Sequence, residues 1–270
     1  MYTEPVFRPP AEAHSLIIQA QIGCPYNRCL FCAMYKSKAY RVKTRSEYLE
    51  HLEFLKNKFG RQQRAFIADG DALIIENELL LDYMQLAGKI LGCRRFGMYG
   101  SVFSLAKKTP PELTALRNAG LKTVYAGLES GHNETLQIMG KNYDSGQAEI
   151  VCKKTAPAGL TLSVMFVIGL GGKKFSREHI EASARLLNKI SPAHTSLLSL
   201  MTGHTPLEHD PGYDISLSAY LDELELFISL TECRTVFRNN HASNYLPLEG
   251  ILPRDRERLL SEIARARKKL

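Results

Sequence analysis

Leu16-Ile17-Ile18-Gln19-Ala20-Gln21-Ile22-Gly23-Cys24-Pro25-Tyr26-Asn27-Arg28-Cys29-Leu30-Phe31-Cys32 joins a strand-like run to three cysteines spaced C-x4-C-x2-C. Leu16-Ile17-Ile18 is apolar on successive residues, as in a parallel strand covered on both faces. The cysteines follow directly, at the carboxyl end of that predicted strand. In α/β folds this is the end at which ligands bind. Thiolates this close repel one another unless a metal shares their charge, and metal ligation requires the thiolate form.

Outward from this stretch, the chain alternates between two patterns. Strand-like runs fall at Leu16–Ile22, Ala65–Ala68, Arg95–Tyr99, Thr123–Leu128, Thr161–Gly169 and Thr195–Met201. Between them, helical periodicity covers Ser46–Phe59, Glu78–Leu91, Pro111–Ala119, Ser145–Ala158 and Ser176–Ile190. Alternating strands and helices predict βαβ units and a parallel sheet. Pro110 and Pro111 suit a helix start, Gly120 and Gly159 suit helix ends, and Ser176 suits an N-cap. Six such units are too few for a closed eight-stranded barrel. A partial barrel, an open barrel and a doubly wound sheet all remain. Two further helices are expected at Leu217–Leu230 and Arg254–Lys269, with an irregular polar stretch, Arg234 to Pro253, between them.

Composition sets the outer bounds. The chain has 270 residues, 44% hydrophobic and 23% charged, which excludes disordered and low-complexity classes. Its formal charge of +7 favours anionic partners. The basic cluster Arg265, Arg267, Lys268 and Lys269 reads as a solvated helix end, with nucleic-acid contact as the alternative. Met1 to Ser15 lacks the apolar core of a secretory leader, and no apolar run is long enough to span a bilayer. A cytoplasmic chain without membrane association is expected. Its six cysteines then suggest metal or catalysis before disulfides.

Three metal readings compete for the cysteine loop. A structural zinc site needs a fourth ligand, for which His14 and His51 are candidates. A ferredoxin-type cluster uses this same spacing with a distant fourth cysteine, for which Cys93 is the candidate. The third is a [4Fe–4S] cluster held by three thiolates, with one iron left open. In this last respect the chain resembles the radical S-adenosylmethionine (SAM) superfamily. An aromatic residue usually precedes the last cysteine there, and Phe31 matches. The first gap is one residue longer than the C-x3-C-x2-C common in that superfamily.

The resemblance runs from about Ser15 to Met201. It implies an α/β fold, a partial (β/α)6 TIM-like barrel with C-terminal helices, carried on 15–203. Residues 1–14 would be an N-terminal extension, and 204–270 a C-terminal extension within a single domain. It implies an oxygen-sensitive [4Fe–4S] cluster on Cys24, Cys29 and Cys32, with SAM as the second cofactor. For SAM contacts it points to Asp69, Gly70 and Asp71, where the superfamily has Gly-Gly-Glu. It points further to Ser101, to Glu129 and Ser130 after the fourth strand, and to Ile168 and Gly169 at the end of the fifth. Ser101 equally suits the start of a turn, and a plain βα turn is the alternative for Asp69-Gly70-Asp71. The implied activity is reductive cleavage of SAM to a 5′-deoxyadenosyl radical that abstracts hydrogen from a substrate. A small-molecule or tetrapyrrole substrate is expected, with tRNA as the other class and flavodoxin or ferredoxin as the reducing partner. A non-enzymatic iron–sulfur or zinc protein is the alternative.

Arg238-Asn239-Asn240-His241-Ala242-Ser243-Asn244-Tyr245 is dense in hydrogen-bonding side chains. It reads either as a closure over substrate, with His241 and Tyr245 as catalytic proton donors or acceptors, or as a surface loop bonded to its own backbone. Thr202-Gly203-His204-Thr205-Pro206 leaves the same choice. Cys93, Cys152 and Cys233 are widely separated and are expected to be structural.

Overall fold

The computed structural model describes residues 1–270. Its chain divides into two compact units, one of Met1–Asn27, Met34–Ala126 and Lys154–Leu162, the other of Arg28–Ala33, Gly127–Lys153 and Ser163–Leu270.

In the first unit the order is β1 (Leu16–Gln19), β2 (Gln21–Ile22), β3 (Arg41–Val42), α1 (Arg45–Phe59), β4 (Arg64–Ala68), α2 (Asn77–Leu91), β5 (Arg95–Tyr99), α3 (Val102–Lys107) and α4 (Pro110–Asn118). The strand β6 (Leu121–Glu129) follows. Strands β1, β4, β5 and β6 are neighbours in that order, all parallel. Ile18 pairs with Ile67, which pairs with Met98, which pairs with Val124. All four side chains are fully buried, which is why these strands read as continuous apolar runs. Helix starts are specified locally. Thr44 with Glu47 and Thr109 with Glu112 form reciprocal capping boxes, each satisfying two end groups that the helix cannot. Helices α1 and α2 meet through stacked Tyr48 and Tyr83 rings, 4.1 Å apart.

The second unit adds α5 (Asn133–Ile138), α6 (Ser145–Lys153), β7 (Thr161–Ile168), α7 (Gly172–Ile190), β8 (His194–Ser199), α8 (Leu217–Leu230), β9 (Thr235–Arg238), β10 (Glu249–Leu252) and α9 (Arg256–Arg267). Strands β7, β8 and β9 are parallel, and β10 closes the edge antiparallel to β9. Phe227 of α8 packs on Phe166 of β7 and Phe237 of β9. All three rings are buried, each contributing roughly 1.5–3 kcal/mol through area removed from water.

In each unit the long strands form mostly parallel sheet, while β2 and β3 pair antiparallel in a separate two-stranded sheet. The fold is α/β, and its strand–helix alternation is the expected one. Two local expectations are corrected. Arg234–Pro253 is not irregular throughout: it carries β9 and β10. It was unreadable because β10 contains Gly250 and only four residues, with little alternation. Ser176 is not an N-cap. Helix α7 begins at Gly172 and kinks at Phe175, and the Ser176 hydroxyl donates to Glu223 instead.

Candidate functional site

In the first unit the site grows from the carboxyl ends of β1, β4 and β5. The cysteine loop leaves β2 through Gly23, whose left-handed φ of +77° suits glycine. Its N–H donates to Asp69 Oδ2 over 3.0 Å. The same oxygen accepts from Gln19 Nε2 at 3.1 Å and from Lys38 Nζ at 2.8 Å. Asp69 is fully buried, and its Oδ1 has no protein partner. Lys38 Nζ also donates to the Thr3 and Pro5 carbonyls, so the first residues of the chain are tied to the same carboxylate.

Gly70 is where the loop touches the end of β4. A Cβ there would lie 2.7 Å from Cys24 Cα and 2.8 Å from the Gly23 carbonyl oxygen. Only glycine permits this approach. Asp71 is 6% exposed. Its Oδ2 accepts from Ser101 Oγ, while Ser101 caps α3 in a reciprocal box with Ser104. Ser101 thus both begins the helix and bonds a second candidate.

In the second unit the loop continues through Cys29 and Cys32. Leu30 N–H donates to the Met139 carbonyl over 3.2 Å, and Leu30 and Phe31 pack on the Met139, Val167, Leu170 and Leu207 cluster. Lys141 lies over the Phe31 ring, 5.3 Å from its centroid, and pairs with Glu129 at 3.0 Å. Burial alone would lower the Lys141 pKa. Glu129, Tyr143 and Cys29 outweigh it and hold the ammonium well above its ordinary value. The pull of Cys29 is the electrostatic link between this cation and the loop. Glu129 ends β6 with a left-handed φ of +60°, uncommon for a non-glycine residue.

Ser130 is fully buried and meets His179 Nδ1 at 2.7 Å. His179 Nε2 meets the Val167 carbonyl at 2.9 Å, and burial pushes its pKa down to about 4. The neutral ring therefore donates from Nε2 and accepts at Nδ1. Ile168 and Gly169 are buried at the end of β7, and the Gly169 N–H goes to Glu223.

The late polar stretch is bonded to the carboxyl end of β8. Asn244 Nδ2 donates to the Leu197 carbonyl at 2.8 Å, Ser199 Oγ to Asn244 Oδ1 at 2.9 Å, and Ser199 N–H to Ser243 Oγ at 3.1 Å. His241 Nδ1 lies 2.8 Å from Ser243 Oγ, and its pKa is lowered by burial. Tyr245 is 70% exposed, edge-on to the buried Tyr220.

Several residues holding this arrangement were not found from sequence: Lys38, Lys141, His179 and Glu223. Only Glu223 carried a signal. It falls three residues after Tyr220 and four before Phe227, inside the apolar stripe of α8. Of the other metal candidates, His51 accepts the Gln19 N–H at Nε2, and Cys93 is buried with its thiol pushed up to about 11. No three His, Cys, Asp or Glu side chains are arranged around a single ion. No helix is long and apolar enough to cross a membrane.

A parallel strand–helix fold with a three-cysteine loop after its first strands defines a class that comparison makes explicit. The model of the radical SAM superfamily matches residues 18–187, more than half of the chain. The chain belongs to the radical SAM superfamily. Among curated proteins it is 25% identical over 180 residues to an uncharacterized methyltransferase of Pyrococcus horikoshii, covering 64% of this chain and 37% of that protein. The chain thus spans little more than a third of that relative. Among solved structures it is similar to coproporphyrinogen III oxidase of Escherichia coli, a radical SAM enzyme, with a TM-score of 0.60, 16% identity, and coverage of 80% and 51%. It is also similar to a radical SAM methyltransferase of Kitasatospora setae solved with cobalamin and a [4Fe–4S] cluster, with a TM-score of 0.53, 15% identity, and coverage of 68% and 36%.

Proposed function

We propose that this chain uses a [4Fe–4S] cluster held by Cys24, Cys29 and Cys32 to cleave SAM and start radical chemistry on a small, polar substrate. The observation that carries the reading is the placement of all three cysteines on one loop leaving the carboxyl end of the first strands. Their donor chemistry fits the group. The three thiols are half-buried, whereas Cys93 and Cys152 lie in the core with pKa values pushed up by burial to about 11 and about 12. A desolvated thiol resists becoming the thiolate that ligation needs. When bound and reduced, the cluster supplies the electron that splits the SAM sulfonium and releases a 5′-deoxyadenosyl radical.

The protein's own part is positioning and shielding. Gly70 lets Cys24 approach the end of β4, and Asp69 holds the loop entrance. Lys141 keeps a positive charge beside Cys29. Phe31, Gly70, Asp71, Ser101, Glu129, Ser130, Ile168 and Gly169 are proposed to line SAM. His241 and Tyr245, on the stretch bonded to β8, are proposed to face substrate and to move or hold a proton there. The polarity of that stretch supports a polar small molecule, and the tetrapyrrole chemistry named for the E. coli neighbour is one member of that class.

Anaerobic reconstitution, reduction, addition of SAM and chromatography for 5′-deoxyadenosine test the reading. Product that disappears in Cys24→Ala, Cys29→Ala and Cys32→Ala variants supports it. A triple alanine variant that still cleaves SAM would overturn it.

A further inference from the structure

The turn after β7 is held by a carboxylate from outside the strand–helix repeat. Gly169 is left-handed (φ +86°), and a Cβ there would meet Ile215 Cδ1 at 2.7 Å. Its N–H donates to Glu223 Oε2 over 2.7 Å. The other oxygen, Oε1, accepts from Ser176 Oγ over 2.6 Å. Glu223, on α8, is only 3% exposed. The segment before α8 covers the same turn: Lys173 N–H donates to the Gly212 carbonyl at 2.7 Å, and a Cβ on Gly172 would lie 2.8 Å from that oxygen.

Other backbone groups of the turn bond to backbone partners. The Ile168 carbonyl accepts from Leu200 N–H, the Gly169 carbonyl from Gly172 N–H, and Leu170 N–H donates to the Val167 carbonyl. The Gly169 N–H, by contrast, is met by a side chain. The nearby charges are engaged elsewhere. Arg177 pairs with Glu181, and Asp222 and Glu225 pair with Arg267 of α9. Glu223 therefore acts through its two hydrogen bonds and not through an ion pair.

We propose that Glu223 is a positioning residue for SAM, its carboxylate fixing the Gly169 amide and the start of α7 so that the Ile168–Gly169 backbone presents one conformation to the nucleoside. This rests on the reading of the site as a SAM site. Losing the acceptor would leave a buried N–H without a partner, a costly state that the turn would relieve by rearranging.

The test is equilibrium dialysis of SAM against the anaerobically reconstituted full chain as wild type, Glu223→Ala, Glu223→Gln and Ser176→Ala. Iron content and the thermal midpoint without SAM are measured in parallel. Glu223→Ala is expected to weaken SAM binding at least tenfold at unchanged iron content. Glu223→Gln, whose amide oxygen still accepts from Gly169, is expected to stay within about threefold of wild type, with Ser176→Ala in between. Equal binding by wild type and Glu223→Ala overturns the proposal. So does equal weakening by Ala and Gln, because the effect then does not follow the accepted bond. A wild type that binds no SAM overturns instead the reading on which the proposal rests.

Discussion

Lys38 and Asp69 form a buried ion pair, with Nζ 2.8 Å from Oδ2 and side chains 3% and 0% exposed. The carboxylate oxygen they share also accepts the Gly23 N–H at the entrance to the cysteine loop. Removing one member of a buried pair leaves an uncompensated charge, at a cost of about 3–5 kcal/mol. Lys38→Met is expected to lose stability on that scale in urea unfolding. The double variant Lys38→Met/Asp69→Asn is expected to regain most of it, since neither charge is then left alone.

Gly70→Ala tests the approach of the loop to the end of β4. The added Cβ would meet backbone atoms of Cys24 and Gly23 at 2.7 and 2.8 Å, so the loop must shift. A destabilisation of about 1–3 kcal/mol is expected from the overpacking. Iron bound after reconstitution is expected to fall by more than half, measured by colorimetric iron assay against wild type.

Lys141 places a cation beside Cys29. Lys141→Met removes that charge and leaves Glu129 without its partner at 3.0 Å. Reduction adds negative charge to the cluster, so losing a nearby cation makes reduction harder. The midpoint potential is expected to move negative by on the order of 100 mV or less, the effect of one charge at an effective dielectric of about 20. A redox titration followed by electron paramagnetic resonance reads it directly.

Glu223 makes stability fall as pH rises. Burial, opposed by its bonds to Ser176 and Gly169, lifts its pKa from 4.5 to about 7. A raised folded-state pKa means its contribution is fully present below pH 4.5 and is lost as pH rises through 7. The loss amounts to about 3 kcal/mol. Glu223→Gln has no such charge. Its stability relative to wild type is therefore expected to improve by that amount between pH 4.5 and 8 in urea titrations.

His179 has the opposite sign. Its folded pKa is lowered from 6.5 to about 4 by burial. Its contribution is present above pH 6.5 and is lost as pH falls through 4, again about 3 kcal/mol in all. Replacing it also removes one of the hydrogen bonds of Ser130 Oγ and one of those of the Val167 carbonyl. His179→Ala is expected to cost about 2–4 kcal/mol at pH 8, and about 2 kcal/mol less than that at pH 5.

Legibility followed the range of the interaction. Leu16-Ile17-Ile18 and Val164-Met165-Phe166-Val167-Ile168 announced buried parallel strands because every position is apolar. Helix starts at Thr44 and Thr109 rest on partners three residues away. Strands β9 and β10 escaped because each has only four residues, and β10 contains Gly250 with little alternation. The three cysteines were visible because ligand spacing within one loop is itself a sequence property. Asp69 was found, but its bonds to Lys38 and Gly23 were not, since residues 31 and 46 positions away leave no local pattern.

The sequence by itself determined the strand–helix alternation, the place of the cysteine loop after the first strands and, through that loop, the superfamily. Period and spacing carry that information within a few residues, and the hydrophobic effect enforces it. Only the tertiary structure decided that Lys38 neutralises Asp69, that Lys141 stands beside Cys29, and that Glu223 holds Gly169. Those pairings join groups far apart in sequence. Each is fixed by the cost of leaving a charge or a hydrogen-bonding group buried without a partner.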